Sequence, residues 1–413
     1  MKHIYLVVLF AICIGCQPDD DSAYLDNSDY QTFQITCDSD TVLTSEKGVK
    51  ISIEAHTFAC PPNKQVTLKF TEILTKTDMI LNRMYTLDES GNILESGGMF
   101  QLIDATNNAK TFLKPIKVDI PTTWINQDMQ QYAGNIQDDM MVWVANGEEV
   151  QAKNAEGIQK GEILYRQNCT ACHLTDLRKS LVAPPIGNVH LFRDKDWLIN
   201  FIRNAPGMLA IRDTLAVCVA QAANNVVMNG FTHLSIEEIT DIIAYIANES
   251  KRQAIARDEI KFATKCDIDT IRIWSAPTFS PQVDYYYSTT IFSAGWMNVD
   301  ALCLFDQKIE ALQIMLDKPY PKAELAISFQ ERNIAIPLVK EYQDSKIYNL
   351  LNGKGMSQIS FPLGEKIDIV AYSKGKEFQY NILEYRPKKK GNKLKISLKA
   401  GDKKTFLEEL EKL

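Results

Sequence analysis

Several things are missing from this chain of 413 residues. Positive charge is not in excess: 45 Lys and Arg stand against 52 Asp and Glu, a formal net charge of -7. A nucleic-acid partner is therefore not expected. The apolar run at residues 4–14 is too short to span a bilayer. No internal repeat is evident. No Ser-His-Asp set, paired acidic motif or phosphate loop can be read in the strand-patterned regions, so hydrolytic and nucleotide chemistry find no support there. The composition is that of ordinary globular protein, and the length allows two to four domains.

What is present is Cys169-Thr170-Ala171-Cys172-His173. Two thiols at this spacing can form thioethers to the two vinyl groups of one porphyrin, and the following histidine is placed to bind its iron. The motif occurs once, so one covalent haem c is expected, attached through Cys169 and Cys172 with His173 on the iron. Two other chemistries use a C-x-x-C pair. A dithiol redox centre follows a strand, whereas the residues before Cys169 read as a helix. A zinc site needs two more ligands at short spacing, and the nearest candidates, His190 and Cys218, stand alone.

Residues 1–15 read as a signal peptide, with Lys2 and His3 ahead of an apolar core. They end in Cys13-Ile14-Gly15-Cys16, which resembles the lipobox of bacterial lipoproteins. That resemblance implies lipidation at Cys16 and a membrane anchor, although Cys13 and Ile14 replace the usual Leu and Ala/Ser. The acidic tether Gln17-Pro18-Asp19-Asp20-Asp21 is similar to the surface-export signal of Bacteroidota lipoproteins. An exported, outer-membrane protein on the periplasmic or cell-surface face is expected, a location consistent with attachment of c-type haem outside the cytoplasm. Of nine cysteines, five are left after Cys13, Cys16, Cys169 and Cys172. An odd remainder leaves at least one free thiol, and Cys37 with Cys60 is the first pairing expected.

The expected fold class is multidomain: a β-sandwich-like module at 42–150 after a tether at 16–41, an all-α domain at 154–250, a charged helical connector at 251–267, and a second β-sandwich-like module at 268–413. Period-two alternation at 49–53, 66–70 and 116–120 marks half-buried strands. Asp88-Glu89-Ser90-Gly91-Asn92 reads as a hairpin turn, Gly97-Gly98 as a bulge, and Ser373-Lys374-Gly375-Lys376 as another turn. In the last module the clearest strands are 285–287, 325–329 and 367–372, with a short helix at 405–413. The stretches 48–53 and 95–100 resemble ZU5-like β modules. Lys388-Lys389-Lys390 reads as a solvated basic loop.

Gly161-Glu162-Ile163-Leu164-Tyr165-Arg166-Gln167-Asn168 leads into the C-x-x-C-H, and together they resemble the N-terminal helix of class I cytochromes c. Ser235-Ile236-Glu237-Glu238 forms a capping box ahead of a helix whose Ile236, Ile239, Ile242, Ile243 and Ile246 share one face. The resemblance implies that this helix crosses the first at Gly161, with Tyr245 nearby. It makes Pro184 the carbonyl acceptor for the proximal histidine and packs Ile186 on the ring. It also makes Met228 the sixth iron ligand, although Asn229 replaces the proline that usually follows. Met208, His190 and His233 are the alternatives. Of these, Met208 is expected in the core, His233 exposed, and His190 at the surface or near a propionate. The amphipathic run Trp197, Leu198, Phe201 and Ile202 is expected to cover one haem face.

The leading functional expectation is electron transfer with an unidentified redox partner protein. The alternatives are a haem enzyme or sensor with a labile sixth ligand, and a surface binding or structural protein with an accessory haem domain.

Overall fold

The computed structural model describes residues 30–260 and 285–413, apart from 62, 138–139, 258, 306–307, 311, 343, 351–357 and 362. The signal peptide, Cys16 and most of the tether lie outside the described residues. None of the described helices is long and apolar enough to cross a membrane.

Eleven strands build the first β region: β1 Gln31–Thr36, β2 Thr41–Thr44, β3 Lys50–Ile53, β4 Gln65–Ile73, β5 Leu94–Asp104, β6 Thr111–Thr122, β7 Gln130–Gln137, β8 Met140–Ala145, β9 Gln151–Lys153, β10 Tyr285–Ser293 and β11 Gly295–Leu302. They form two sheets, ordered β1-β4-β5-β11-β7-β8 and β2-β3-β6-β10-β9. Alternate residues of both sheets meet in one core, with Leu68, Phe70, Phe100 and Val299 from the first and Ile51, Val118, Ile120 and Tyr287 from the second. A disulfide joins Cys37 and Cys60. The expected bulge is present: Val299 pairs with Gly98 but Asp300 with Ser96, so Gly97 is the extra residue.

The expected boundary at 268 is corrected by this pairing. β10 lies between β6 and β9, and β11 between β5 and β7, so residues 285–302 complete the first β region. The helical segment is therefore inserted between β9 and β10, two neighbouring strands of one sheet. Sequence order hides such an insertion because period-two patterns carry no partner information.

The remaining strands are β12 Lys308–Glu310, β13 Gln313–Leu316, β14 Ala323–Phe329, β15 Ala335–Lys340, β16 Ile347–Asn349, β17 Gln358–Ser360, β18 Ile367–Lys374, β19 Phe378–Tyr385, β20 Lys393–Ile396 and β21 Lys399–Ala400. Eight of them form one sheet, ordered β20-β13-β16-β15-β14-β18-β19-β21, while β12 pairs with β17. Both faces of its centre are buried. Leu325, Ile327, Ile367 and Ile369 enter one core, and the intervening Ala326, Val370 and Tyr372 enter another with Leu94, Met99, Trp143 and Trp296 of the first β region. Burial on both faces explains the near-continuous apolar runs at 325–329 and 367–372. The two β regions share that middle core, with α1 Lys76–Leu81 and the C-terminal helix Lys403–Leu410 packed into it through Ile80 and Phe406.

Between β9 and β10 lie α2 Glu156–Asn168, α3 Lys195–Ala210, α4 Thr214–Ala222 and α5 Ile236–Arg252. Ala155 and Ile158 at the start of α2 are part of the first β core, and Asn248 of α5 makes two hydrogen bonds to the backbone of Ile125, at 2.6 and 3.0 Å. The connector helix is corrected in its first half: α5 ends at Arg252, turns follow to 260, and 261–267 lie outside the described residues.

Candidate functional site

α2 and α5 frame the site. The capping box at Ser235 and Glu238 is made in both directions, and Ile239, Ile242, Ile243 and Ile246 are buried. Ile236 departs from expectation. As the first residue after the cap it faces solvent, 56% exposed. At the crossing, a Cβ on Gly161 would overlap the backbone carbonyl of Asp241, and the rings of Tyr165 and Tyr245 lie 5.2 Å apart. The Tyr165 hydroxyl donates to Leu174 O at 2.9 Å, tying α2 to the loop after the C-x-x-C-H.

Cys169 is the C-cap of α2, and the next turn is closed by bonds from the amides of Cys172 and His173 to Cys169 O, at 3.0 and 2.9 Å. The chain then doubles back, with the Ala183 amide donating to Cys172 O at 3.0 Å. This return brings Pro184 to His173, whose Nδ1–H donates to the Pro184 carbonyl at 3.1 Å. The contact fixes the tautomer and leaves Nε2 with its lone pair. Burial holds the His173 imidazole below its ordinary pKa, against that hydrogen bond, which favours the neutral ring that a metal needs.

One cavity of about 250 Å³ gathers Cys169, Cys172, His173, Pro184, Ile186, Trp197, Phe201 and Met228 along its wall. Leu198, Ile202, Ile242 and Ile246 add to a mainly aliphatic lining. α3 starts at the cap Asp194 and loses helical geometry at Asn204, just before Pro206. Trp197 and Phe201 stack at 4.7 Å, and the Trp197 indole donates to Asp213 Oδ1 at 3.1 Å. Asp213 also caps α4, a helix the sequence reading did not foresee, and α4 adds Val219 and Ala220 to the cavity.

Of the alternatives to Met228, none lines the cavity. Met208 is half-buried on the kinked end of α3 instead of in the core. His233 is exposed and sits 3.3 Å from Asn168 Oδ1. His190 is the correction: it is buried, not at the surface, and its Nδ1 has no partner. The reason lies next to it, where Asn188 donates hydrogen bonds to α5 and the following turn. Its amide donates to Ser250 Oγ and its side chain to Ile255 O, both at 2.9 Å, pulling the short 3-10 turn Val189–Leu191 onto the core.

Cys169 and Cys172 are not joined to each other or to another cysteine by a disulfide. Burial, then Cys172, pushes the Cys169 thiol up to about 12, the opposite of the activated thiolate that dithiol exchange uses. No group of three His, Cys, Asp or Glu suited to a metal occurs among the described residues, so the zinc alternative finds no ligand set. Two thiols and a neutral imidazole on one aliphatic cavity do fit a covalently bound porphyrin. Among the remaining described cysteines Cys303 is free and Cys218 of α4 is disulfide-bonded.

A family model described as cytochrome c matches residues 158–250. This stretch is a c-type cytochrome domain, which implies covalently bound haem c. No curated protein and no solved structure matches the chain.

Proposed function

We propose that this protein is a membrane-anchored electron-transfer lipoprotein carrying one haem c with His173 and Met228 as axial iron ligands. One observation carries the reading: Cys169, Cys172, His173 and Met228 all line the same aliphatic cavity. The bound group would supply one-electron exchange at its iron. The chain's own residues do the rest. Cys169 and Cys172 would hold the porphyrin through thioethers, and Pro184 keeps the His173 Nδ1 proton in place, which leaves the Nε2 lone pair for the iron. Ile186, Trp197 and Phe201 exclude water. Iron held by both His173 and Met228 would keep no open position for substrate, which favours electron transfer over substrate binding. Residues 1–15 would direct export, and lipid on Cys16 would anchor the protein to the outer membrane on its periplasmic or surface face. The electrons go to or come from a redox partner protein.

The test is a reduced-minus-oxidised spectrum of the purified protein, repeated with Met228→Ala. The wild type is expected to be low-spin when oxidised, with the weak far-red band of Met-to-iron ligation, and the variant to lack that band. Rapid CO binding to the wild type without loss of a ligand would favour a sensor or enzyme instead.

A further inference from the structure

α2 and α5 also wall a second cavity, of about 570 Å³, and no residue lines both. It lies where these helices meet the first β region, whose residues 125–128 between β6 and β7 complete the wall. The size is that of a small-ligand site, but the lining is not apolar. Aliphatic side chains are confined to Ile125, Ala155 and Ile158, which belong to the first β core. Tyr245 is the one aromatic on the wall, 4% exposed, with its ring packed on Tyr165 at 5.2 Å. Its hydroxyl has no hydrogen-bond partner among the described residues, although Glu249, Glu162, Arg166 and Arg252 of the same wall act on it electrostatically. The side-chain amides of Gln127 and Gln159 are likewise without a bond among the described residues. The charges, by contrast, are already matched. Arg166 holds Glu162 at 2.8 Å, Arg252 holds Glu249 at 2.6 Å, and Arg178 holds Glu259 at 2.7 Å.

We propose that this cavity binds a small neutral polyhydroxylated ligand, a saccharide of one or two rings, through the Tyr245 hydroxyl and the Gln127 and Gln159 amides. The inference goes beyond the electron-transfer reading and does not rest on it. The state of the wall selects the ligand. An anion would have to displace a carboxylate from an arginine. A cation would find only the exposed Asp128 without an ion pair, since Asp176 holds Lys179 at 2.7 Å. A hydroxyl both donates and accepts, so a polyol can meet a wall that mixes amide, phenol, guanidinium and carboxylate groups. An apolar ligand would leave those groups unpaired. A planar aromatic ligand would need a ring to stack on, and the Tyr245 ring is already covered by Tyr165. The wall is also formed in advance. The two hydrogen bonds between Asn248 and the Ile125 backbone hold the β-region turn against α5, so little ordering is left for the ligand to induce.

The test uses the full haem-loaded protein and six neutral probes: glucose, galactose, mannose, maltose, lactose and trehalose. At least one is expected to give saturable binding in the millimolar range or tighter by calorimetry. Amide hydrogen exchange should slow in peptides covering 125–128 and 245–253 when that sugar is bound. Tyr245→Phe, which keeps the ring and its contact with Tyr165, should weaken binding tenfold or more at unchanged helical circular dichroism. Gln159→Ala, on the exposed surface of α2, should weaken it severalfold and carries the test should Tyr245→Phe misfold. Affinity should change less than twofold between low and high salt, as for an uncharged ligand. Absence of saturable binding by all six sugars overturns the proposal, as does binding that a folded Tyr245→Phe leaves unchanged. It is equally overturned if the slowed amides lie outside the cavity wall. Gluconate or glucosamine binding tenfold more tightly than glucose would mark a charged ligand and overturn it too.

Discussion

Gly161 of α2 and Asp241 of α5 meet backbone to backbone, so closely that a Cβ on the glycine would lie 2.0 Å from the Asp241 carbonyl oxygen. The neighbouring atom is main chain, which cannot rotate away. The contact sets the spacing of the two helices that frame the cavity and lets Tyr165 reach Tyr245.

Gly161→Ala should therefore destabilise the helical domain by about 3 kcal/mol, the upper part of the range for overpacking. Urea unfolding followed by helical circular dichroism checks this. Gly147→Ala serves as a control at a site with open space around it, although its positive φ costs a little by itself.

Arg332 reaches Glu95 at 3.2 Å and Glu365 at 2.9 Å where the two β regions meet. Burial holds the Glu95 carboxyl above its usual range, with Arg332 opposing. Arg332→Met leaves two acids without their cation and should cost about 3–5 kcal/mol. Adding Glu95→Gln should restore part of the loss. If the double variant is no more stable than the single one in denaturant, the two groups are not coupled.

His190 gives a pH dependence. Burial, then Lys251, lowers its pKa to about 4 from the ordinary 6.5, so below 6.5 the unfolded chain binds a proton that the folded one refuses. Stability is whole above about pH 6.5 and falls as pH drops towards 4, by up to about 3 kcal/mol. His190→Leu should flatten that part of the profile relative to wild type. An unchanged slope between pH 6.5 and 4 would contradict the assignment.

Residues 30–153 contain nine of the eleven strands of the first β region but lack β10 and β11, which sit inside its two sheets. That fragment should show no cooperative unfolding transition, whereas the full chain does. A dispersed amide spectrum from the fragment would contradict the insertion.

Most of the site was legible in the sequence because its signals are local. The C-x-x-C-H spacing, the glycine four residues before Tyr165, the Ser235 box and the prolines at 184–185 each act within a few residues of themselves. The missed features are set by tertiary context. His190 becomes buried through bonds that Asn188 makes to residues more than 60 positions away. The run 214–222 has no strong 3.6-residue polarity contrast, and Asp213 as its cap was the one available cue. The start of β10 is legible as a strand at 285–287 and β11 was not singled out, and the partners of both lie more than 150 residues earlier in β6 and β5, with a whole domain between.

The central claim is a single haem c on Cys169 and Cys172, and one mass measurement tests it most directly. Trypsin cleaves after Arg166 and Arg178, releasing residues 167–178 with both cysteines and His173. The account predicts that this peptide from the exported protein carries the added mass of one haem and takes up no thiol-alkylating reagent. A bare peptide with two alkylated cysteines, or one closed by an internal disulfide, would contradict it.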